Sequence, residues 1–159
     1  MEASKLYDED FYAWTQEQAA ALRALRGDSR LDVEHLAEEI EDLGKSDLQA
    51  VESYVQQIMA HLLKLDYSGF DLPRRHWRAE IVAFRGNLRR KMSPSLERKV
   101  REELPELYVD ARNNAAASLD VEPDLGRRLP HECPYDWSAV VERDVVAEAG
   151  VDLSEGPSG

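Results

Sequence analysis

The longest regular pattern of apolar and polar residues runs from residue 32 to residue 65. Apolar residues recur there in steps of three or four, or sums of such steps, which is the period of one helix face. They are Leu36, Ile40, Leu43, Val51, Tyr54, Ile58, Leu62 and Leu65. Asp32 precedes them as a suitable N-cap, because its carboxylate accepts hydrogen bonds from free N–H groups of the first turn. The pattern predicts one long central helix.

Gly44 lies inside this pattern and allows two interpretations. The helix could end at Gly44 and restart at Ser46, since residues 46–49 fit the S-x-x-Q capping box. It could instead continue, because one interior glycine costs only about 1 kcal/mol relative to alanine. The apolar face keeps its phase across Gly44, so a continuous helix, bent near Gly44, is the preferred interpretation.

Shorter helices are predicted on both sides of the central helix, over residues 8–26, 74–91, 94–119 and 136–144. Gly27 is expected to stop the first of them. Pro105 is expected to break the third near Leu104, because proline lacks a backbone donor and clashes with the preceding turn. Residues 120–135 are predicted to form a loop.

The predicted fold class is therefore all-α, a helical bundle of about five main helices around a long central helix, plus a short C-terminal helix. A chain of 159 residues has the usual size of one domain. Residues 1–148 are predicted to form a single helical domain. Residues 149–159 are predicted to be a disordered tail, because they are rich in glycine and serine and offer little to bury.

Charge is distributed unevenly along the chain. The sequence has 32 acidic and 20 basic residues and a net charge of −12. Residues 1–63 carry 5 basic and 14 acidic side chains, whereas residues 74–101 carry 10 basic and 2 acidic ones. The acidic excess disfavours binding to nucleic acid or an anionic membrane, and no apolar run of about 18 residues is present. With Cys133 as the single cysteine, a cytoplasmic protein without membrane contact is expected.

Six short blocks carry a family resemblance. They are YDEDFYAW at 7–14, LAEEIEDLG at 36–44, HLLK at 61–64, HWRAEI at 76–81, YVDAR at 108–112 and LPHECPY at 129–135. In order and spacing the blocks resemble one bacterial family, the domain of unknown function 29. The resemblance covers roughly residues 6–145. It implies an all-helical cytoplasmic domain and implies no activity.

The first candidate site is a polar cluster made of Glu38, Glu39, Asp42, His61 and Arg78. On a helix, Glu39 and Asp42 share one face with His35, and such groups could hold a metal ion. However, no histidine has a glutamate three residues before it, as bundle di-metal sites require. No metal and no cofactor is therefore assigned, although a site of three histidines (His35, His61 and His76) is geometrically conceivable.

Ion pairing is the preferred interpretation of the same cluster. Arg75 or Arg78 of the basic helix is expected to pair with Glu39 or Asp42. Glu39 and His61 are expected to be half-buried and hydrogen-bonded to a neighbouring helix.

The second candidate site is a basic surface made of Arg85, Arg89, Arg90, Lys91, Arg98, Lys99 and Arg101. Clustered basic side chains are the usual footprint of phosphate binding. The acidic remainder of the chain would repel the same backbone, so nucleic-acid binding is disfavoured. Cys133 near His131 could be an activated thiolate, but packing within a proline-bounded loop is the preferred role.

No assembled catalytic motif accompanies these helices, so an enzymatic activity stays uncertain. The preferred function is a non-catalytic cytoplasmic protein-interaction or adaptor domain with an unknown protein partner. A homodimer is also considered, because the long central helix has two sides for neighbours to cover. The alternatives are a metal-dependent enzyme using Glu39, Asp42 and His61, and nucleic-acid binding through residues 74–101.

Overall fold

The computed structural model describes residues 2–25, 29–118 and 124–151, although not the side chains of the last three. These described residues form nine helices and no strand. The helices are α1 (Ala3–Glu9), α2 (Phe11–Ala24), α3 (Val33–Tyr67), α4 (Arg74–Lys91), α5 (Pro94–Glu102), α6 (Leu104–Ala117), α7 (Leu125–Arg128), α8 (Trp137–Glu142) and α9 (Val145–Val151). The predicted all-α fold with a long central helix is confirmed.

The chain divides into two compact units. The first unit comprises Met1–Ser53 and Leu88–Glu102, and the second comprises Tyr54–Asn87 and Glu103–Gly159. The single domain over residues 1–148 stays a prediction. Of the predicted tail, residues 149–151 belong to the end of α9, and residues 152–159 lie outside the described part of the chain.

The prediction of one helix over residues 8–26 is wrong. Helix α1 ends at Glu9, with only its last two residues in that range, and α2 begins at Phe11, because Asp10 between them adopts a non-helical backbone conformation, with φ −152° and ψ 81°. The Asp10 carboxylate accepts a hydrogen bond from the Ala13 N–H at 3.1 Å, which caps α2. The helix ends at Ala24, and Gly27, the predicted stop, lies outside the described residues.

The central helix α3 continues through Gly44, as preferred from the sequence. Gly44 is buried against α2. A Cβ atom at Gly44 would lie 2.2 Å from Thr15 Oγ1 and 3.3 Å from Tyr12 Cδ2. Glycine therefore allows α2 and α3 to approach closely, and it does not mark the end of a helix.

The predicted core face is wrong for the first half of α3. Leu36 is 42% exposed and Leu43 is 54% exposed. The buried positions there lie one residue further along, at Ala37 and Gly44, whereas Val51 is buried as predicted. Small residues at these two positions let the neighbouring helix come near, so the larger leucines lie outside the contact.

In the second unit, one stretch of α3 is buried on all sides. Every residue from Ile58 to Leu65 is buried. On α4, Trp77 and Ile81 are buried as their helical spacing predicts. A helix segment that is covered on all sides forms the centre of a bundle, so this stretch is the core of the second unit.

Side chains of α6 hold the proline-containing segment that follows α7. The Tyr108 hydroxyl donates to the Pro130 carbonyl at 2.5 Å, and the Arg112 guanidinium donates to the carbonyls of Pro130 at 3.0 Å and Gly126 at 2.8 Å. Burial raises the pKa of Tyr108 to about 12. These bonds satisfy backbone acceptors of a segment that has few partners of its own.

The break predicted by Pro105 is confirmed. Helix α5 ends at Glu102 and α6 begins at Leu104, with Pro105 in the first turn of α6. In the second unit two short helices were missed, namely α7 inside the predicted loop and α9 after the predicted C-terminal helix. They span only four and seven residues, too few for an apolar period to be recognised.

Candidate functional site

The predicted polar cluster is divided between the two units. Glu38, Glu39 and Asp42 are exposed residues of α3 in the first unit. His61 and Arg78 belong to the second unit. The expectation that Glu39 is half-buried is wrong, and the joint site stays a prediction. Among the described residues, no group of three or more His, Cys, Asp or Glu side chains is placed to hold a metal ion.

Acidic α3 pairs with basic side chains of the first unit, and the expected pairs of Arg75 or Arg78 with Glu39 or Asp42 stay predictions. The Arg23 guanidinium donates two hydrogen bonds to the Glu41 carboxylate, both at 3.1 Å, and this contact lowers the pKa of Glu41. Lys91 donates to Asp47 at 2.8 Å. The pairs join α2 and the end of α4 to α3 within the first unit.

A buried carboxylate caps two helices in the first unit. Besides capping α2, Asp10 accepts hydrogen bonds from the Ser95 N–H at 2.8 Å and the Ser95 hydroxyl at 2.6 Å, in the first turn of α5. Burial alone would raise the pKa of Asp10, but the hydrogen bonds from Ser95 and Ala13 outweigh it and lower the pKa. The Asp10 carboxylate is therefore ionised at neutral pH, and its role is to stabilise the starts of α2 and α5.

The predicted basic surface loses one of its members. Arg85 is buried, and its guanidinium donates to the carbonyls of Val140 at 2.8 Å, Arg143 at 2.7 Å and Ala139 at 3.1 Å. Placing Arg85 on the surface was wrong, because these carbonyls at the end of α8 draw the guanidinium inward. Arg85 holds α8 to α4.

The other members of the basic surface are exposed, except for half-buried Lys99. Several are close to acidic side chains. Arg101 pairs with Glu97 at 3.2 Å, and Lys91 pairs with Asp47. An open groove of about 450 Å³ beside α5 is lined by Pro94, Glu97, Arg98, Arg101 and Glu102. Its walls carry both signs of charge, which does not favour a phosphate backbone.

His61 is buried and is held by its own helix. Its Nδ1 atom lies 2.7 Å from the Gln57 carbonyl oxygen, so the expected hydrogen bond to a neighbouring helix is wrong. The imidazole ring also packs near Phe84, with 5.8 Å between ring centres. Burial lowers the pKa of His61, so the ring is neutral at pH 7.

Lys64 is a residue that the sequence analysis missed. It lies one turn after His61, and 7% of the residue is exposed. Its Nζ atom lies 5.9 Å from the centre of the Trp77 ring, within the range of a cation–π contact. A charged residue inside the apolar run from Ile58 to Leu65 was the available signal.

Cys133 has the environment of a packing residue. Its Sγ atom lies 3.9 Å from Met59 Sδ and donates to the Tyr135 carbonyl at 3.3 Å. Burial raises the pKa of the Cys133 thiol, which keeps it protonated and unreactive. His131 is exposed, so it does not share this buried environment.

The first half of α3 presents two adjoining rows of exposed side chains. One row is apolar and contains Leu36 and Leu43, one heptad apart, with half-buried Ile40 between them. Glu39 lies next to both leucines, three residues after the first and four before the second. The other row is polar and is made of His35, Glu39 and Asp42. We call the five exposed residues His35, Leu36, Glu39, Asp42 and Leu43 the α3 surface.

Comparisons with known proteins agree with this architecture. A family model described as "Domain of unknown function DUF29" matches residues 6–146, which confirms the resemblance seen in the sequence. An alpha-helical protein of unknown function from Rhodospirillum rubrum has a similar solved structure, with a TM-score of 0.76 and 28% identity. The match covers 95% of this chain and 98% of that one. No curated protein matches the chain.

None of the helices within the described ranges has the length and apolar character needed to cross a membrane.

Proposed function

The chain belongs to the DUF29 family, and we propose that it is a protein-interaction domain whose α3 surface binds a basic amphipathic helix of a partner protein. The observation that carries this proposal is the exposed pair Leu36 and Leu43 on the longest helix. Single exposed apolar residues are ordinary, but an apolar row beside a polar row on a rigid helix is a feature of helix-binding surfaces.

The charge beside the apolar row supports a basic partner. Glu39 and Asp42 border the leucines and are exposed. Residues 1–63 carry 14 acidic side chains against 5 basic ones, so the surrounding potential is negative. A helix with lysine or arginine on either side of its own apolar stripe would match both rows. Opposite charges on the two surfaces mainly raise the association rate and the specificity for the partner, and they raise the affinity less.

A second copy of the same chain is a weaker occupant of this surface. In a symmetric dimer each α3 surface meets its own equivalent, so the carboxylates of Glu39 and Asp42 would face acidic residues of the partner copy. Like charges brought together in this way oppose association. We therefore do not propose a homodimer, although the experiment below would detect one.

Neither alternative function is favoured by a specific observation. In the described ranges, no ligand set for a metal ion is brought together. The basic residues near α5 are interleaved with acidic ones. The interaction domain is therefore the only function that we propose for the α3 surface.

The experiment compares two double variants of the full chain as bait in an extract of the native cells. L36Q/L43Q alters the α3 surface, and V82Q/V109Q alters two valines that are similarly exposed, at 49% and 55%, in the second unit. A partner should be captured by the wild type and by the control variant, and lost with L36Q/L43Q. A synthetic peptide of its basic helix should then bind the wild type with a Kd that weakens as salt rises.

The size of the effect follows from the exposed area of the leucines. Fully burying a leucine contributes about 1.5–3 kcal/mol, and roughly half of each side chain remains to be covered. Loss of both should weaken peptide binding by about 1.5–3 kcal/mol, or roughly 10- to 150-fold. Equal peptide affinity for both variants would refute the proposal. Self-association that sedimentation detects in the wild type and not in L36Q/L43Q would assign the surface to a second copy instead.

A further inference from the structure

Three aromatic side chains of α1 and α2 lie together at the surface of the first unit. They are Tyr7, Phe11 and Trp14, and we call them the aromatic cluster. Tyr7 is 50% exposed, and the other two are half-buried. The residues that these two helices bury are smaller, namely Leu6, Thr15 and Ala19. The large rings of the aromatic cluster therefore remain partly in contact with water.

The rings of the aromatic cluster present faces in two perpendicular directions. The planes of the Phe11 and Trp14 rings are inclined by only 20°, with 5.6 Å between the ring centres. The Tyr7 ring is inclined by 86° to the Phe11 ring and by 88° to the Trp14 ring, with centres 5.4 and 4.9 Å away. Ring faces are electron-rich, so a cation in the angle between perpendicular rings can lie against a face of each.

The charges around the aromatic cluster favour a cationic ligand. Residues 1–22 contain five acidic residues and one basic residue, Lys5, and Lys5 pairs with Glu9 at 3.4 Å. Asp8 and Glu17 are exposed. Asp8 follows Tyr7 in α1, and Glu17 lies on the same side of α2 as Trp14, three residues later. A negative surface of this kind raises the local concentration of cations and repels anions.

The ring faces also select among cations. Metal ions require oxygen, nitrogen or sulfur ligands, which the rings do not provide. A primary ammonium ion is strongly hydrated, and a guanidinium ion is flat and stacks on a single face. A quaternary ammonium ion has no N–H group to keep hydrated, and its rounded shell of methyl groups fits the angle between two faces.

We propose that Tyr7, Phe11 and Trp14 form a binding site for the quaternary ammonium group of a choline-like ligand. Its methyl groups lie against the Tyr7 ring and the neighbouring Phe11 and Trp14 rings, and Asp8 and Glu17 supply negative charge nearby. The same group occurs in free choline and in the headgroup of phosphatidylcholine. The aromatic cluster shares no residue with the α3 surface, so either proposal can fail without the other.

The test titrates the full-length protein with choline chloride and follows the indole N–H signals by NMR. The chain has three tryptophans, and the Trp14 signal is the one that Trp14→Phe removes. Choline should shift this signal to saturation with a Kd of about 1–10 mM, and sodium chloride at equal concentration should not. The neutral isostere in which carbon replaces the nitrogen of choline should bind at least about fivefold more weakly.

Two variants separate the ring contact from general apolar binding. Tyr7→Leu keeps an apolar side chain but removes one ring face, so it should weaken choline binding at least about fivefold. Phe70→Leu is the matched control, because it alters a ring that is 39% exposed in the second unit, and it should leave choline binding unchanged.

Three results would overturn the proposal. They are the absence of a saturable shift with choline, equal affinity for choline and its neutral isostere, and equal choline affinity of the wild type and a natively folded Tyr7→Leu. Phosphatidylcholine vesicles distinguish the source of the group. Co-sedimentation of the wild type that Tyr7→Leu abolishes would assign a lipid headgroup, whereas choline binding without co-sedimentation would assign a soluble ligand.

Discussion

Replacing Gly44 by alanine should destabilise the protein, although alanine is the better helix former. In an exposed helix this change would stabilise the fold by about 1 kcal/mol. Here the new Cβ would lie 2.2 Å from Thr15 Oγ1 and 3.2 Å from Thr15 Cβ. Thr15 is fully buried, so its side chain has no free space into which it can turn.

The magnitude follows from what must move. Thr15 Oγ1 donates to the Tyr12 carbonyl at 2.7 Å, and turning the side chain away gives up that bond, at a cost of about 1 kcal/mol. Relieving the remaining overlap by separating α2 from α3 costs about 1–3 kcal/mol. After subtracting the helix-propensity gain, the free energy of unfolding of Gly44→Ala should fall by about 1–3 kcal/mol.

Urea unfolding followed by far-UV circular dichroism measures this change. Gly126→Ala is the matched control, because its new Cβ would lie 3.8 Å from Ala116 Cβ, an ordinary contact. Its stability should be unchanged or higher by up to about 1 kcal/mol. Thr15→Ala removes the clashing hydroxyl, so in that background Gly44→Ala should cost much less than it does in the wild type.

Two results would refute the reasoning about Gly44. One is a stability of Gly44→Ala equal to or above that of the wild type. The other is a cost of Gly44→Ala that is the same with threonine and with alanine at position 15, since residues in contact must show coupling. Either result would mean that α2 and α3 do not cross as closely as their side chains indicate.

Three further predictions concern polar groups that the fold covers wholly or in part. Asp10→Ala should lower the free energy of unfolding by about 2–3 kcal/mol, because two helix caps are lost, whereas exposed Asp8→Ala should change it little. Since the pKa of Asp10 is lowered from 3.8, its stabilisation is complete above that pH and lost as pH falls through the lowered value; a difference from Asp10→Ala that grows below pH 3.8 would contradict the assignment. Arg85→Met should cost about 3 kcal/mol in urea unfolding, because three carbonyls lose their donor; a loss below about 0.5 kcal/mol would show that water replaces the guanidinium. The half-buried Cys133 thiol, whose pKa is raised, should react with a disulfide reagent at least tenfold more slowly in the folded protein than in 6 M urea, as expected for a partly covered, protonated thiol, and equal rates would disprove this.

Local sequence patterns determined most of the secondary structure. The central helix, α4, α8 and the break at Pro105 follow from the apolar period, helix caps and the missing donor of proline. These features depend on interactions within a few residues, so they are readable without knowing what packs where. Helices α7 and α9 were not predicted, because they are too short to show a repeating pattern of apolar residues.

Tertiary packing decided which side of each helix is covered. Along the first half of α3, Leu36 and Leu43 fit an apolar face as well as Ala37 and Gly44 do. The close approach of α2, which only the small pair permits, places the leucines outside. The period of apolar residues shows that a helix has an apolar side, but it does not show which side a neighbouring helix covers. The α3 surface therefore could not be predicted.

The same limit applies to the polar residues. In the sequence Asp10 is one of three acidic residues at the start of a predicted helix. Its contact with Ser95 exists only in the folded protein. In the sequence Arg85 and Lys64 resemble ordinary surface charges. The fold directs the Arg85 guanidinium to three backbone carbonyls and places the Lys64 amine near the Trp77 ring. The ionisation and the partners of a charged group depend on its three-dimensional surroundings, so these roles were decided by the tertiary structure.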